Sequence, residues 1–419
     1  MRSTLLVLSL FCLAIIGTQA AHYAVLVAGS KGYDNYRHQS DILHAYQILT
    51  NNGIPADNII TFAYDDIAHN LENPFKGQVF NKPADGEGKD VYAGVKIDYS
   101  KKDVTPENFL AVLKGDSSKV GGNRVLKSTA EDNVFIYFAD HGATGLIAFP
   151  STYLYAKDFN DALVFMHDNN MYKEMVIYIE ACESGSMFDN LLPANINIYA
   201  TTAANGQESS WAAYCAPNNK VNGKNIRSCL GDLYSINFLE NLESVDPSKE
   251  TLLDQFNIIK NLTTASHVQQ YGDLTIDGEV IGNFEGNSNV NRAFVPKKVE
   301  DTNKYLGLVD SRYVKLAYLQ DRHENLQSAQ SHQELTAEID SIQRFDGIFT
   351  GFASRFGLNV NEPVGHIDFD CLKARVSMYE EVCGRFTDYG LKYVRYLHQT
   401  CVQGVDIYDF EEALVKSCI

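Results

Sequence analysis

The stretch Ile177-Tyr178-Ile179-Glu180-Ala181-Cys182-Glu183-Ser184-Gly185 decides how the rest of the chain is read. An apolar run passes through a thiol into a Ser/Gly turn, the pattern of a buried strand with Cys182 at its carboxyl end. A second stretch has the same form: Phe135-Ile136-Tyr137-Phe138-Ala139-Asp140-His141-Gly142 leads from an apolar strand into a histidine followed by glycine. Working outward, Tyr23–Val27, Ile59–Ala63, Val134–Phe138, Val176–Ile179 and Ile196–Ala200 read as strands. Helical patterns lie between them, including His38–Thr50, which stops at Gly53, and Phe109–Leu113, which follows Thr105-Pro106. This alternation predicts an α/β fold, a mostly parallel sheet flanked by helices on both faces. In such sheets the ligand crevice lies outside the carboxyl ends of the strands. Neighbouring strands ending in His141 and Cys182 would bring imidazole and thiol to one crevice, as a thiol nucleophile requires. Taken singly, a cysteine after an apolar strand is more often a small buried hydrophobe, and His-Gly a turn. The pair at equivalent strand ends is what points to catalysis.

The chain has 419 residues, enough for one large domain and a smaller one. With 35 Lys+Arg against 53 Asp+Glu, its net charge is −18, so no nucleic-acid partner is expected. Near the N-terminus, Arg2 precedes an apolar run from Leu5 to Ile16 and then Gly17, Thr18, Ala20 and Ala21. That run is too short to span a bilayer and reads as a secretory signal peptide over residues 1–21. No later stretch reaches membrane-spanning length, which predicts no membrane span and a place in the secretory pathway. Cys12 falls in the signal, so seven of the eight cysteines remain, an odd number in an oxidising compartment. Cys215 and Cys229 bracket a polar segment, and bridging them would close a loop of about fifteen residues, worth about 3 kcal/mol in the chain-entropy model. Cys371, Cys383, Cys401 and Cys418 crowd the C-terminal end, and Cys182 is left over.

Residues Asp65–Asp103, rich in Gly, Pro, Asn and Asp, read as a long structured loop. From about Gly286 to Asn325 the periodicity weakens, which predicts a linker or activation segment over residues 291–330. Ser331–Phe352, Cys371–Val382, Asp388–Gln399 and Tyr408–Lys416 read as helices of an all-α module over 331–419, stapled by its cysteines.

The segments Asp140-His141-Gly142 and Glu180 to Gly185 resemble those of the legumain family of asparaginyl endopeptidases, in the clan of cysteine peptidases that also contains the caspases. So do Ala28-Gly29-Ser30, Asn35 to Asp41, Ala200 to Asn205, Glu208-Ser209-Ser210, Leu230 to Ser235, and the loop from Asn73-Pro74 to Asp98-Tyr99. The resemblance covers nearly the whole chain beyond residue 21. It implies a caspase-like catalytic domain over residues 22–290 and an inhibitory prodomain over 331–419. It implies Cys182 as nucleophile, His141 as its partner and Asn35 as the residue orienting the imidazole, with the N–H groups of Gly142 and Cys182 as oxyanion hole. The asparagine side chain would be held in an S1 pocket by Arg37, His38, Glu180, Asp232, Ser210 and Ser209. An aspartate there would repel Glu180 and Asp232, so cleavage after Asp is expected only in acid.

The resemblance further implies disulfides Cys371–Cys401 and Cys383–Cys418, although four cysteines by themselves allow three pairings. It places self-processing near Asn325 and makes the precursor a zymogen. The implied partners are protein and peptide substrates, the chain's own prodomain and cystatin-type inhibitors, in a lysosome, a vacuole or outside the cell. The segment after Asn325 carries 8 Lys+Arg and 14 Asp+Glu, a net of −6, against −12 for the rest. Net-charge attraction therefore cannot hold the two bodies together, and latency should rest on local contacts and His protonation, with acid loosening the cap.

Asn261-Leu262-Thr263 is a glycosylation sequon. His38, Asp41 and His44 share a helix face, but no third histidine accompanies them, so no metal is expected. No cofactor fingerprint is present either. Rival readings are a peptide ligase on the same site, a catalytically silent binding or inhibitor protein, and a lipid-anchor transamidase, which would call for a C-terminal membrane span.

Overall fold

The computed structural model describes residues 20–287, 307–359 and 363–418. The expected signal peptide, apart from its last two residues, and positions 291–306 of the expected linker lie outside them. Strands in chain order are β1 (His22–Ala28), β2 (Ile59–Phe62), β3 (Asn133–Ala139), β4 (Gly142–Ala143), β5 (Leu146–Phe149), β6 (Thr152–Tyr155) and β7 (Glu174–Glu180). They continue with β8 (Ile198–Thr202), β9 (Trp211–Ala213), β10 (Lys220–Val221), β11 (Lys224–Asn225), β12 (Gly231–Asp232), β13 (Gln269–Gly272) and β14 (Val309–Asp310). The main sheet runs β13-β8-β7-β3-β1-β2 and is parallel except for the edge strand β13.

Both faces of this sheet are covered, which is why its strands read as unbroken apolar runs. Val25, Val27, Ile136, Phe138, Ile177 and Ile179 face one core. Ala24, Leu26, Phe135, Tyr137, Val176 and Tyr178 face the other. Helices α1 (Tyr36–Asn51), α4 (Leu233–Ser244) and α5 (Leu252–Leu262) cover the second face, and α2 (Pro106–Leu113) and α3 (Ala156–Asp168) the first. Thr105 caps α2, its hydroxyl accepting from the Asn108 N–H, with Pro106 at the first helical position. Residues 65–100 are largely irregular. Asn73 pins part of this loop by donating to the carbonyls of Ile67, Ala68 and Gln78.

The short helix α6 (Gly282–Glu285) precedes the undescribed stretch. The expected linker is not irregular where it is described. Residues 309–310 form β14, and Val314–Leu326 form helix α7. Helix α8 begins at Ala329, inside the span read as linker. The pattern was weak because α7 buries only a narrow stripe, Val314, Tyr318 and Leu319, against partners distant in sequence.

Helices α8 (Ala329–Phe356), α9 (Phe369–Cys383), α10 (Val394–Val402) and α11 (Ile407–Cys418) make the C-terminal module. Its core is a stack of rings, with Phe349 against Tyr393 at 4.4 Å and Tyr379 against Phe386 at 4.1 Å. Disulfides join Cys371 to Cys401 and Cys383 to Cys418, and a third joins Cys215 to Cys229. Ile367, Phe369 and Leu372 continue the core of the main domain onto Gly145, where a β-carbon would lie 3.0 Å from Ile367. Lys373 pairs with Asp158 at 2.8 Å, and the Tyr153 hydroxyl donates to Glu380 at 2.7 Å. Two acidic bodies are thus joined by apolar packing and local pairs. Among the described residues, no helix is long and apolar enough to cross a membrane.

Candidate active site

Ala139 of β3 lies in register with Glu180 of β7, and His141 and Cys182 each follow two residues beyond that pair. The sheet therefore delivers both groups to one rim. Cys182 is buried and free. A β-carbon on residue 142 would lie 2.3 Å from the Cys182 carbonyl oxygen, so only glycine lets these two backbones meet. Sγ accepts from the Ser210 N–H at 3.3 Å and lies 3.7 Å from the Ser210 hydroxyl. Burial pushes the Cys182 thiol up, while the nearby Arg312 pulls it down.

His141 turns Nε2 toward the acceptors Asn35 Oδ1 at 2.9 Å and Asp388 Oδ2 at 3.2 Å. Asn35 is held in this orientation because its Nδ2 donates to the Lys31 carbonyl and its Oδ1 also accepts from Arg37. Two acceptors on Nε2 keep the proton there and leave Nδ1, buried and without a hydrogen-bond partner, as the bare nitrogen.

Beside the dyad, the amino-terminal turn of α1 and the ends of β7 and β12 enclose a buried polar slot. Arg37 donates from Nε to Asp232 Oδ1 at 2.8 Å. Glu180 Oε2 accepts from the Ser235 N–H and hydroxyl, both at 3.0 Å. Asp41 accepts from the Asp232 N–H at 3.1 Å. Arg37 Nη2, Glu180 Oε1 and Asp232 Oδ2 are buried and have no hydrogen-bond partner. Burial and then the charge of Asp232 hold the Glu180 carboxyl well above the usual range, and Asp41 is raised for the same reasons. Burial raises Asp232 too, against the pull of Arg37. His38, whose Nδ1 meets the Ser30 hydroxyl at 2.7 Å, is kept neutral by burial and by its neighbours Arg37 and His141. Ser210 is buried at the mouth, and Ser209 beside it is half-buried.

The crevice is occupied by the chain itself. Strand β14 pairs antiparallel with β9, Val309 opposite Ala212 and Asp310 opposite Trp211. The Ser311 N–H then donates to the Ser210 carbonyl at 3.1 Å, and the two serine hydroxyls lie 3.3 Å apart. Arg312 crosses to the other side, donating to the Gly142 carbonyl at 2.6 Å and meeting Glu183 at 3.2 Å. Asp388, from the C-terminal module, closes over His141 and Asn35. Ser311, Arg312, Glu183 and Asp388 carry no local sequence signal for these roles, since every partner lies far away along the chain. Ser235 could have been found, because it stands within the Leu230–Ser235 motif.

The remaining candidates lie elsewhere. Asn325 is exposed on the last turn of α7, its Nδ2 donating to the Asp321 carbonyl at 2.7 Å. At about 1.5 Å of rise per residue it lies roughly 16 Å along the helix from Val314. Asn261 is exposed at the end of α5, and Thr263 Oγ1 accepts from Asn237 at 3.0 Å. His44 points away from the dyad, its ring bonded to Asn81 and Glu243. The grouping with metal-ligand spacing is instead His38, Asp140 and His141, whose ligand atoms lie within 4.8 Å of one another. The ring nitrogens nearest Asp140 Oδ1, at 3.4 Å for His38 and 4.0 Å for His141, are engaged by Ser30 and Asn35, and that oxygen is buried without a hydrogen-bond partner.

The peptidase C13 family model matches residues 22–287, and the legumain prodomain model matches residues 329–418. The vacuolar-processing enzyme delta-isozyme of Arabidopsis thaliana is 41% identical over 96% of this chain and 91% of its own length. Legumain of Mus musculus is 40% identical over 95% of this chain and 92% of its own, and legumain of Canavalia ensiformis 38% identical over 96% and 89%. The caspase-1 of Spodoptera frugiperda overlays with a TM-score of 0.39 at 9% identity, over 65% of this chain and 93% of that one.

Proposed function

The chain belongs to the peptidase C13 family and is a cysteine endopeptidase carrying its own prodomain, and on that premise we propose that it hydrolyses the peptide bond that follows asparagine, and aspartate only in acid. The observation that carries this reading is the slot. One donor, Arg37 Nη2, and two acceptors, Glu180 Oε1 and Asp232 Oδ2, are buried there without a hydrogen bond, the last of them 3.6 Å from His38 Nε2. A carboxamide offers the complement, an oxygen to accept and an NH₂ to donate. Leaving such groups unmet is costly, and this is what lets a polar slot reject the wrong side chain strongly.

In the reaction, the Cys182 thiolate adds to the carbonyl carbon. The negative oxygen of the tetrahedral state is met by the N–H groups of Gly142 and Cys182, which face charge present only at that stage. The bare Nδ1 of His141 takes the thiol proton and passes it to the departing amine, and Asn35 holds the ring for that transfer. Water then releases the acyl group. The β14–β9 pairing supplies a path for an extended substrate, by strand addition to an edge.

The same proposal covers the finer assignments: a catalytic domain over 22–290, latency from the module over 331–419, and processing after Asn325. An extended cleft, of this molecule or another, cannot take Asn325 while it is helical, so that cut requires the end of α7 to unwind first. A glycan on Asn261, control by cystatin-type inhibitors and delivery to an acidic vacuole or lysosome complete it. The test uses acid-processed full-length protein and peptides differing only in Asn, Asp, Gln or Leu before the scissile bond, from pH 4 to 7. Asn should lead Gln and Leu by about a hundredfold or more, and Asp should be cut only at the acid end. Equal cleavage after Asn and Leu, or equal cleavage after Asn and Asp at pH 7, refutes the slot.

A further inference from the structure

Strand β14 fixes a register along the cleft. Val309 and Asp310 lie along β9, the Ser311 N–H meets the Ser210 carbonyl beside the thiol, and Arg312 is the next residue on. Asp310 and Arg312, on either side of Ser311, bear on the Cys182 thiol in opposite senses, Arg312 pulling it down and Asp310 pushing it up. If substrates run as β14 does, Ser311 stands where the residue before the scissile bond goes, and Arg312 where the residue after it goes.

What Arg312 touches there is an acidic recess. Its guanidinium donates to the Gly142 carbonyl and lies 3.2 Å from Glu183 Oε1. Glu183 is 4% exposed, immediately follows the nucleophile and has a left-handed backbone (φ 54°), with its N–H donating to the Glu208 carbonyl at 2.7 Å. Its other oxygen accepts from the Thr144 hydroxyl and lies 3.6 Å from Arg395. In the precursor a buried carboxylate is thus matched by two arginines, one from the covering segment and one from the C-terminal module. When both leave, Glu183 keeps only the Thr144 hydroxyl among these side-chain partners. A buried charge that loses its counter-charge is strongly disfavoured unless another takes its place.

We propose that Glu183 is a specificity-determining residue, forming with the Gly142 carbonyl a subsite for a cationic side chain, arginine or lysine, on the residue immediately after the scissile bond. The inference rests on the proposed cleavage after asparagine and extends it to the far side of the bond. The recess is short of a cation once the precursor opens, and its own occupant shows which geometry fits: a guanidinium donating to one carbonyl and facing one carboxylate.

The experiment uses acid-processed full-length protein at one fixed pH and peptides identical up to Asn. The next residue is arginine, its neutral isostere citrulline, or glutamate. The expected kcat/KM order is arginine, then citrulline, then glutamate, with about tenfold between the first two. Glu183→Gln should bring arginine and citrulline together while leaving the preference for Asn over Gln before the bond. Should that variant fold poorly, the wild-type protein should show the same gap between lysine and its neutral analogue acetyl-lysine after the Asn. Arginine and citrulline cut equally by the wild-type protein would overturn the proposal while leaving cleavage after Asn intact. If no Asn peptide in the series is cut, the parent reading fails and this one with it.

Discussion

The slot and the nucleophile's crevice sit side by side and are satisfied in opposite ways. Around Cys182 and His141 the chain's own segments cover the polar groups, leaving His141 Nδ1 bare: Ser311 on Ser210, Arg312 on Gly142 and Glu183, Asp388 on His141 and Asn35. In the slot, Arg37, Glu180 and Asp232 each keep a buried atom without a hydrogen bond. The covering segment places Ser311 on Ser210, at the position the proposed register gives to the residue before the scissile bond. On the proposed reading, latency would come from occupying one region and discrimination from leaving the other unfilled.

The largest effect that could break this contrast is at the sulfur. Cys182→Ala should lower peptide cleavage by about 10⁴-fold or more and stop processing of the precursor, with thermal stability retained. Measured kcat/KM and the mass of the purified chain check it. Ser311→Asn comes next. On the proposed register it brings a carboxamide to the slot and should create a new cut before Arg312, visible by mass spectrometry at acid pH. Its absence would mean that β14 does not lie as a substrate lies.

Asp388 sharpens the comparison through pH. Pairing with His141 holds its carboxyl far below the usual range despite burial, so the charge is kept throughout endolysosomal acidity. A depressed carboxylate contributes stability above its unfolded value and loses it only as pH falls through the folded one. This contact is therefore not what acid releases. Asp34 points the same way: burial, and then the charge of Asp388, push it up to about 6. Docking that raises a carboxyl is favoured below that pH and weakened above it. Asp388→Ala should consequently speed processing without changing the shape of its pH dependence. Its side chain is 32% exposed, so a contribution of about 1 kcal/mol, or about fivefold in rate of processing, is expected.

The smallest effect concerns the sheet's far side. Burial raises Glu285 well above the usual range. The folded state then binds the proton more tightly, so its share of stability is full below the unfolded value near 4.3 and is lost as pH rises through the folded one. Glu285→Gln should leave Tm unchanged at pH 4 and raise it at pH 7, by about 2–4 °C for each kcal/mol recovered. An equal shift at both pH values would assign the effect to packing instead.

Much of this was legible from residues in order. The runs ending at Asp140-His141 and Ala181-Cys182 gave strand, direction and rim at once, because a strand buried on both faces must be apolar throughout. Arg37, Glu180 and Asp232 came from matching motifs, since no rule of spacing links an arginine on α1 to an aspartate on β12. The segment around Arg312 showed only weak periodicity because α7 and β14 bury little of themselves, and what they bury lies against Tyr33, Tyr36 and β9.

The sequence by itself determined the alternating layers, the two strand ends that carry sulfur and imidazole, and the odd thiol left when other cysteines pair. These follow from periodicity and counting, which need no knowledge of distant partners. Only the tertiary structure decided that Ser311 lies on Ser210 beside the thiol, that Asp388 caps the histidine, and that Glu183 faces two arginines. Each of these depends on a distance between residues more than a hundred positions apart or in different modules, and distance is fixed only when the chain is packed.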